Sequence, residues 1–195
     1  DSGEATLPMV DQSLTFFTGA YHLIGNDGRL QRLPLPESVD VAGFYAGRIL
    51  FTLRDAWEIA GRTYSQGALL AIDAAAFRAA GELPRIETVY TPDDRTSIEG
   101  VAVSSSGLYV SLLQNVKGRI LRFGVDVKSG EWSAEQLPLP AYGTVSLSAA
   151  SAHSATVLVN YEDHITPDRL SEYDAGANAL TLLKSLPARF RAEDL

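Results

Sequence analysis

Three histidines, His22, His153 and His164, are the side chains in this 195-residue sequence best suited to metal ligation or proton transfer near neutral pH. His153 and His164 lie about 11 residues apart, with Glu162 and Asp163 beside the second. Such a set would suit a divalent metal, but the spacing follows no zinc signature. Surface loops are the expected setting for His153, His164 and these two acids. Asp93 and Asp94, just before Arg95, pair two carboxylates as acid–base chemistry requires. A solvated turn ahead of a strand uses the same residues. Asp126 also sits in a turn, yet the D-x-D-x-D-G order of a calcium loop is missing. Trp57 and Trp132 offer ring faces to a ligand. Trp132 opens a strand, where packing is the commoner role. No serine stands in a G-x-S-x-G elbow, and no glycine-rich phosphate loop is present. The residues therefore assign no catalytic, cofactor-binding or metal-binding side chain, and substrate-binding positions stay open. No cofactor is expected.

Composition narrows the classes further. A hydrophobic fraction of 46% fits a globular chain and is too high for disorder. The formal net charge of −8, without a basic stripe, argues against a nucleic-acid partner. Cysteine is absent, so disulfides and thiolate chemistry are excluded. Lack of cysteine leaves the compartment open, cytoplasmic or periplasmic. No apolar run approaches the roughly 18 residues of a membrane-spanning helix. The opening DSGEATLPMV has neither the basic nor the apolar region of a signal peptide.

The elements that would position any site repeat along the chain. Residues 97–140 read as four short strands at 98–103, 108–114, 119–125 and 132–137. Ser104-Ser105-Ser106-Gly107, Asn115-Val116-Lys117-Gly118 and Lys128-Ser129-Gly130 supply the turns between them. Four strands in about 40 residues is the size of one propeller blade. The pattern recurs at 38–92, with an insertion at 55–67, and again at 144–187. Within the second unit Asp73 is placed to cap a short helix, AAAFRAA, which Gly81 ends. Ahead of these, residues 1–13 read as a lead-in. Residues 14–36 read as a blade without its first strand, with strands at 14–18, 21–24 and 29–33. Corresponding positions step by about 59 and about 47 residues, near the blade period once the insertion is removed. LPLP occurs at 33–36 and at 137–140, each time after a fourth strand. First strands carry small residues: Ala42 and Gly43, Gly100 and Ala102, Ser146 and Ser148. Inner strands crowd around a propeller axis, where small side chains fit. The expected fold is all-β: three complete four-stranded antiparallel blades, one incomplete blade and one short helix.

The run LFTLRDAWEIAGRTYSQGALLAIDAAAF resembles the propeller of bacterial prolyl oligopeptidase family serine peptidases. Thr52, Leu53, Arg54, Trp57, Gly61, Tyr64, Gly67, Leu70, Ala71, Ile72 and Asp73 carry that likeness. YTPDDRTSIEGVAVSSSGLYVSLLQNVKGRILRF is similar to the following blade. NYEDHITPDRLSEYDAGANALTLLKSLP is similar to the last one, through Tyr161, Thr166, Pro167, Leu170 and Asp174. The likeness covers nearly everything from Leu14 to Leu195.

The resemblance implies a seven-bladed propeller joined to an α/β-hydrolase domain with a Ser-Asp-His triad. It implies that the propeller shields the active site and admits short peptides, cleaved after proline. It also implies that the chain continues past Leu195 into the hydrolase domain, its expected partner. None of the triad lies here, so the chain alone should be inactive. Family members use propeller side chains near the substrate from a loop mapping close to Thr18-Gly19, where this sequence is short, and none is carried over. Open blade faces imply self-association. The alternative is a stand-alone propeller-like binding module of unknown ligand.

Overall fold

The computed structural model describes residues 7–188. Among them, seventeen strands and one helix form an all-β partial propeller. The chain divides into two compact units. One runs to Thr91 and includes Val127–Gly130; the other holds Pro92–Asp126 and the chain from Glu131 onward.

In the first unit, β1 (Met9–Ser13), β2 (Gly19–Ile24) and β3 (Leu30–Arg32) form a three-stranded antiparallel sheet. The strand expected at 14–18 is not there. Its place is taken by β1, which lies in the stretch assigned to the lead-in and pairs Met9 with Leu23 through Ser13 with Gly19. Residues 14–18 are instead the turn between β1 and β2. The Thr15 hydroxyl accepts from the Phe17 and Thr18 amides at 3.2 and 3.1 Å. A threonine that bonds its own backbone offers the chain a turn in place of a ladder.

The next sheet has the order β4 (Val39–Tyr45), β5 (Arg48–Leu53), β8 (Leu69–Asp73), β9 (Ile86–Tyr90). The expected insertion is a hairpin of its own, β6 (Trp57–Ile59) with β7 (Arg62–Tyr64). Helix α1 (Ala74–Ala80) is capped as the sequence predicts. Asp73 accepts from the Ala76 amide, and Gly81 closes the helix in the left-handed conformation. A core of Leu23, Leu33, Phe51, Leu70, Ile72 and Phe77 joins the two sheets. Beneath β5 lies a buried ion pair. Arg48, 3% exposed, meets both oxygens of Glu87 at 3.3 and 3.4 Å, and donates to the carbonyls of Ala46 and Val127.

The second unit holds two four-stranded sheets. One is β10 (Thr96–Ser104), β11 (Gly107–Gln114), β12 (Lys117–Val125) and β13 (Trp132–Gln136). The other is β14 (Thr144–Ala150), β15 (Val157–Glu162), β16 (Arg169–Asp174) and β17 (Ala179–Ser185). Tyr109, Ile120, Leu137, Val157, Val159 and Tyr173 form the core between them. Tyr109 and Tyr173 meet edge to face at 6.0 Å, the geometry the ring quadrupoles favour.

The second strands β5 and β11 are almost continuously buried, β15 alternates between buried and half-buried positions, and the first strands are mostly half-buried or exposed. Each first strand carries a β-bulge, between Val41 and Gly43, Ile98 and Gly100, and Leu147 and Ala149. The bulges fall at or beside the small residues singled out in the sequence, because an extra residue bends and twists the strand where bulk would collide. The residue after each of three last strands donates to the edge of the preceding strand: Leu33 to Tyr21, Leu137 to Ile120 and Leu186 to Asp168. Leu33 and Leu137 are then buried against the following sheet. That is the physical role of the two LPLP segments. Proline cannot extend the ladder, and the leucine before it fills the core.

Candidate functional site

In each sheet the turn joining the second and third strands of the blade lies at the same end as the connection to the next blade. The registers require it, since Thr96 pairs with Gln114 and Thr144 with Glu162, each a first-strand start against a second-strand end. This connection end carries the exposed apolar side chains of the turns. In the first unit Phe16 and Phe17 are 92% and 70% exposed, their rings packed edge to face at 4.9 Å. The tip that presents them is clamped. Arg54 donates to the Phe17 carbonyl at 2.8 Å while its guanidinium grips both oxygens of Asp40. A fork-to-fork pair of this kind fixes direction as well as distance. It also holds the Arg54 proton more firmly than usual, chiefly through the Asp40 hydrogen bonds.

In the second unit the connection end is built by close backbone approach. The start of β12 lies against the segment leading into β14, with the Gly118 amide donating to the Gly143 carbonyl at 3.0 Å. A side chain on Gly118 would collide with Val145, and one on Gly143 with the Glu162 carbonyl and the Tyr161 ring. Both positions therefore need glycine. Around this seam stand Val116, 88% exposed, and Tyr142, 76% exposed. The Lys117 ammonium lies 4.3 Å from the centre of the Tyr142 ring, within cation–π range.

The β15–β16 turn completes this end. Asp163 accepts from the Tyr161 hydroxyl at 2.7 Å and from the amides of Ile165 and Thr166 at 2.8 and 2.6 Å. Three donors favour the carboxylate, and the Tyr161 hydroxyl, the largest contributor, helps bring Asp163 down to about 2. Burial, then the same bond, push Tyr161 up to about 12. Beside the turn is an open cleft of about 230 Å³ lined by His164, Ile165, Pro167, Asp168 and Leu186. Asp168 Oδ1 is buried there without a hydrogen-bond partner.

The residues that looked capable of chemistry are dispersed. His153 is in the turn before β15 and His164 in the turn after it, so a full strand separates them. His22 is in β2, with Nδ1 buried and unpartnered. Among the described residues no three His, Cys, Asp or Glu side chains converge as a metal site would require. Asp93 accepts from the Thr96 hydroxyl at 2.6 Å and the Arg95 amide at 3.0 Å, organising the entry to β10. The Thr96 bond is the main cause of its lowered pKa. Trp57 packs between Phe51 and Tyr64 at 6.3 and 6.0 Å. Trp132 opens β13 and is half-buried, and Asp126 closes its turn through a backbone bond to Glu131. Among the described residues no helix is long and apolar enough to cross a membrane. Sequence reasoning missed Phe16 and Phe17, which it placed in a strand, and Val116, which it left inside a turn.

Comparison with known proteins gives this geometry a family. The description "Prolyl oligopeptidase, N-terminal beta-propeller domain" matches residues 62–186, well over half the chain. The chain belongs to that family. It is 29% identical to the uncharacterized peptidase y4nA of Sinorhizobium fredii, over 100% of this chain and 26% of the relative. The post-proline cleaving enzyme of Rickettsia typhi shares the fold with a TM-score of 0.84 at 15% identity, over 97% of this chain and 28% of that one. Oligopeptidase B of Trypanosoma brucei gives a TM-score of 0.65 at 14% identity, over 96% and 28%. The chain thus spans about a quarter of the length of these relatives.

Proposed function

We propose that this chain is the substrate-gating and interdomain part of a proline-specific serine peptidase acting on short peptides. The observation that carries the reading is the family match over residues 62–186, beside a relative about four times as long as this chain. The propeller supplies no nucleophile. Its part is steric: the propeller bars a folded protein from the active site and leaves room for a short peptide. Peptide hydrolysis itself would be the work of a serine-hydrolase domain, where a serine attacks the carbonyl carbon of the proline residue and a histidine takes the serine proton and passes it to the leaving amine. Keeping bulk water and large chains from that centre strengthens its electrostatics and protects cellular proteins. The likeness to a post-proline cleaving enzyme supports the proline preference.

The test is the whole open reading frame that contains these residues. A G-x-S-x-G elbow beyond Leu195, followed by Asp and then His, is the expected result. A frame without such an elbow would overturn the reading and favour a stand-alone binding module.

A further inference from the structure

Three long polar side chains make the same kind of bond. Gln31 in β3 donates to the Phe77 carbonyl at 3.4 Å. Arg48 in β5 donates to the Val127 carbonyl at 3.5 Å. Arg122 in β12 donates to the Ala175 carbonyl at 3.1 Å. Each acceptor lies in the connection between the last two strands of the sheet that follows in the chain.

Two of these connections are also fixed by apolar burial. Phe77 is fully buried in the core with Leu23 and Leu33, and Ala175 packs against the cluster of Tyr109 and Tyr173. The β12–β13 turn differs. Residues 126–129 are all exposed, Val127 by 66%. What receives this turn is the buried charge pair of Arg48 and Glu87. Gly130 lies against the same carboxylate, and a side chain there would come within 3.0 Å of Glu87 Oε1. Its φ of 72° favours glycine in any case. Residues 127–130 therefore belong to the first unit, although the strands they join belong to the second.

Such a seat is made to be left. Detaching a turn from an apolar core exposes hydrocarbon to water. Detaching this one lets water reach a guanidinium and a carboxylate, which regain hydration lost on burial. Segments with few buried apolar contacts are the ones that open locally at low free energy. We propose that the β12–β13 turn is a releasable latch seated on the Arg48–Glu87 pair, and that its release loosens the barrier the propeller sets against longer chains. The second clause rests on the proposed function; the first stands without it.

The test uses the whole gene product and hydrogen exchange read by mass spectrometry. Residues 124–133 include the Asp126 amide, which bonds the Glu131 carbonyl at 2.9 Å. They should exchange faster than residues 107–114 of β11 by about tenfold or more. The E87Q substitution is in β9, yet it should speed exchange at 124–133 several-fold and leave 107–114 unchanged. A role for Glu87 confined to its own sheet would not move that segment. G130V sets a branched side chain at positive φ against Glu87 and keeps both buried charges, so it should act in the same direction. Both variants should raise cleavage of a long unstructured prolyl peptide several-fold relative to a short one with the same bond. Exchange at 124–133 as slow as at 107–114, or unmoved by E87Q, would overturn the latch. Faster exchange with an unchanged cleavage ratio would overturn its part in filtering. A gene product that cleaves neither peptide would remove the proposed function, and the exchange rates would still decide the latch.

Discussion

The Lys117 ammonium stands 4.3 Å from the centre of the Tyr142 ring, linking the β11–β12 turn of one blade to the connection that enters the next. The contact sits directly over the seam where Gly118 and Gly143 bring two backbones together. A polar tether at the rim and a tyrosine-rich core below it make blades three and four one packed body. That is what a family built from repeated sheets needs, since a single blade cannot bury both of its faces.

The ion pair beneath β5 is a structural commitment of the first unit. Side chains of Arg48 and Glu87 are 4% and 11% exposed. Removing one partner strands a buried charge, so Glu87→Ala should cost about 3 kcal/mol or more of stability. Urea unfolding followed by tryptophan fluorescence would measure it. Replacing Glu87 by Gln should cost less, because the amide oxygen still accepts from the guanidinium.

Acid should loosen the β15–β16 turn. Asp163 has a folded pKa of about 2, below its unfolded value. Its contribution is fully present above the unfolded pKa and is lost as pH falls through the folded one, so the window is about pH 4 to 2. Tyr161 works in the opposite limb. With a folded pKa of about 12, its contribution is complete below pH 10 and fades as pH rises through 12. Thermal unfolding across both limbs should show Asp163→Asn flattening the acid limb and Tyr161→Phe flattening the alkaline one. Unchanged slopes in either variant would contradict the assignment.

Much of this architecture was legible from residue order alone. The capped AAAFRAA helix and the repeated LPLP both encode local geometry, and each sits where its chemistry requires. Tyr109 and Tyr173 could not be paired in advance, because sequence patterns do not say which strands face across blades. The first blade was misread at Leu14–Thr18 for a specific reason. An apolar run with two phenylalanines has the composition of a strand, while the Thr15 hydroxyl bonds that make it a turn leave only a weak trace. Val116 was harder still, since its turn departs from the rule that would have announced it.

The last blade carries a contrast that bears on assembly. Leu186 makes the same backbone bond as Leu33 and Leu137 but is 55% exposed, and Leu182 and Leu183 on β17 are 54% and 51% exposed. We propose that chains limited to these 195 residues pair through such open faces. Light scattering with size-exclusion chromatography should give a dimer mass that falls on dilution. A mass of 21 kDa at every concentration would contradict it.

The gating account is tested most directly by one comparison on the whole gene product. The same proline-containing sequence is presented first as a short free peptide and then inside an exposed loop of a folded protein. The account predicts cleavage after proline in the peptide and none in the folded protein. It also predicts that residues 1–195 alone cleave neither. Equal cleavage of both substrates, or activity that survives in residues 1–195 after rigorous purification, would contradict a propeller that filters substrate for a separate catalytic domain.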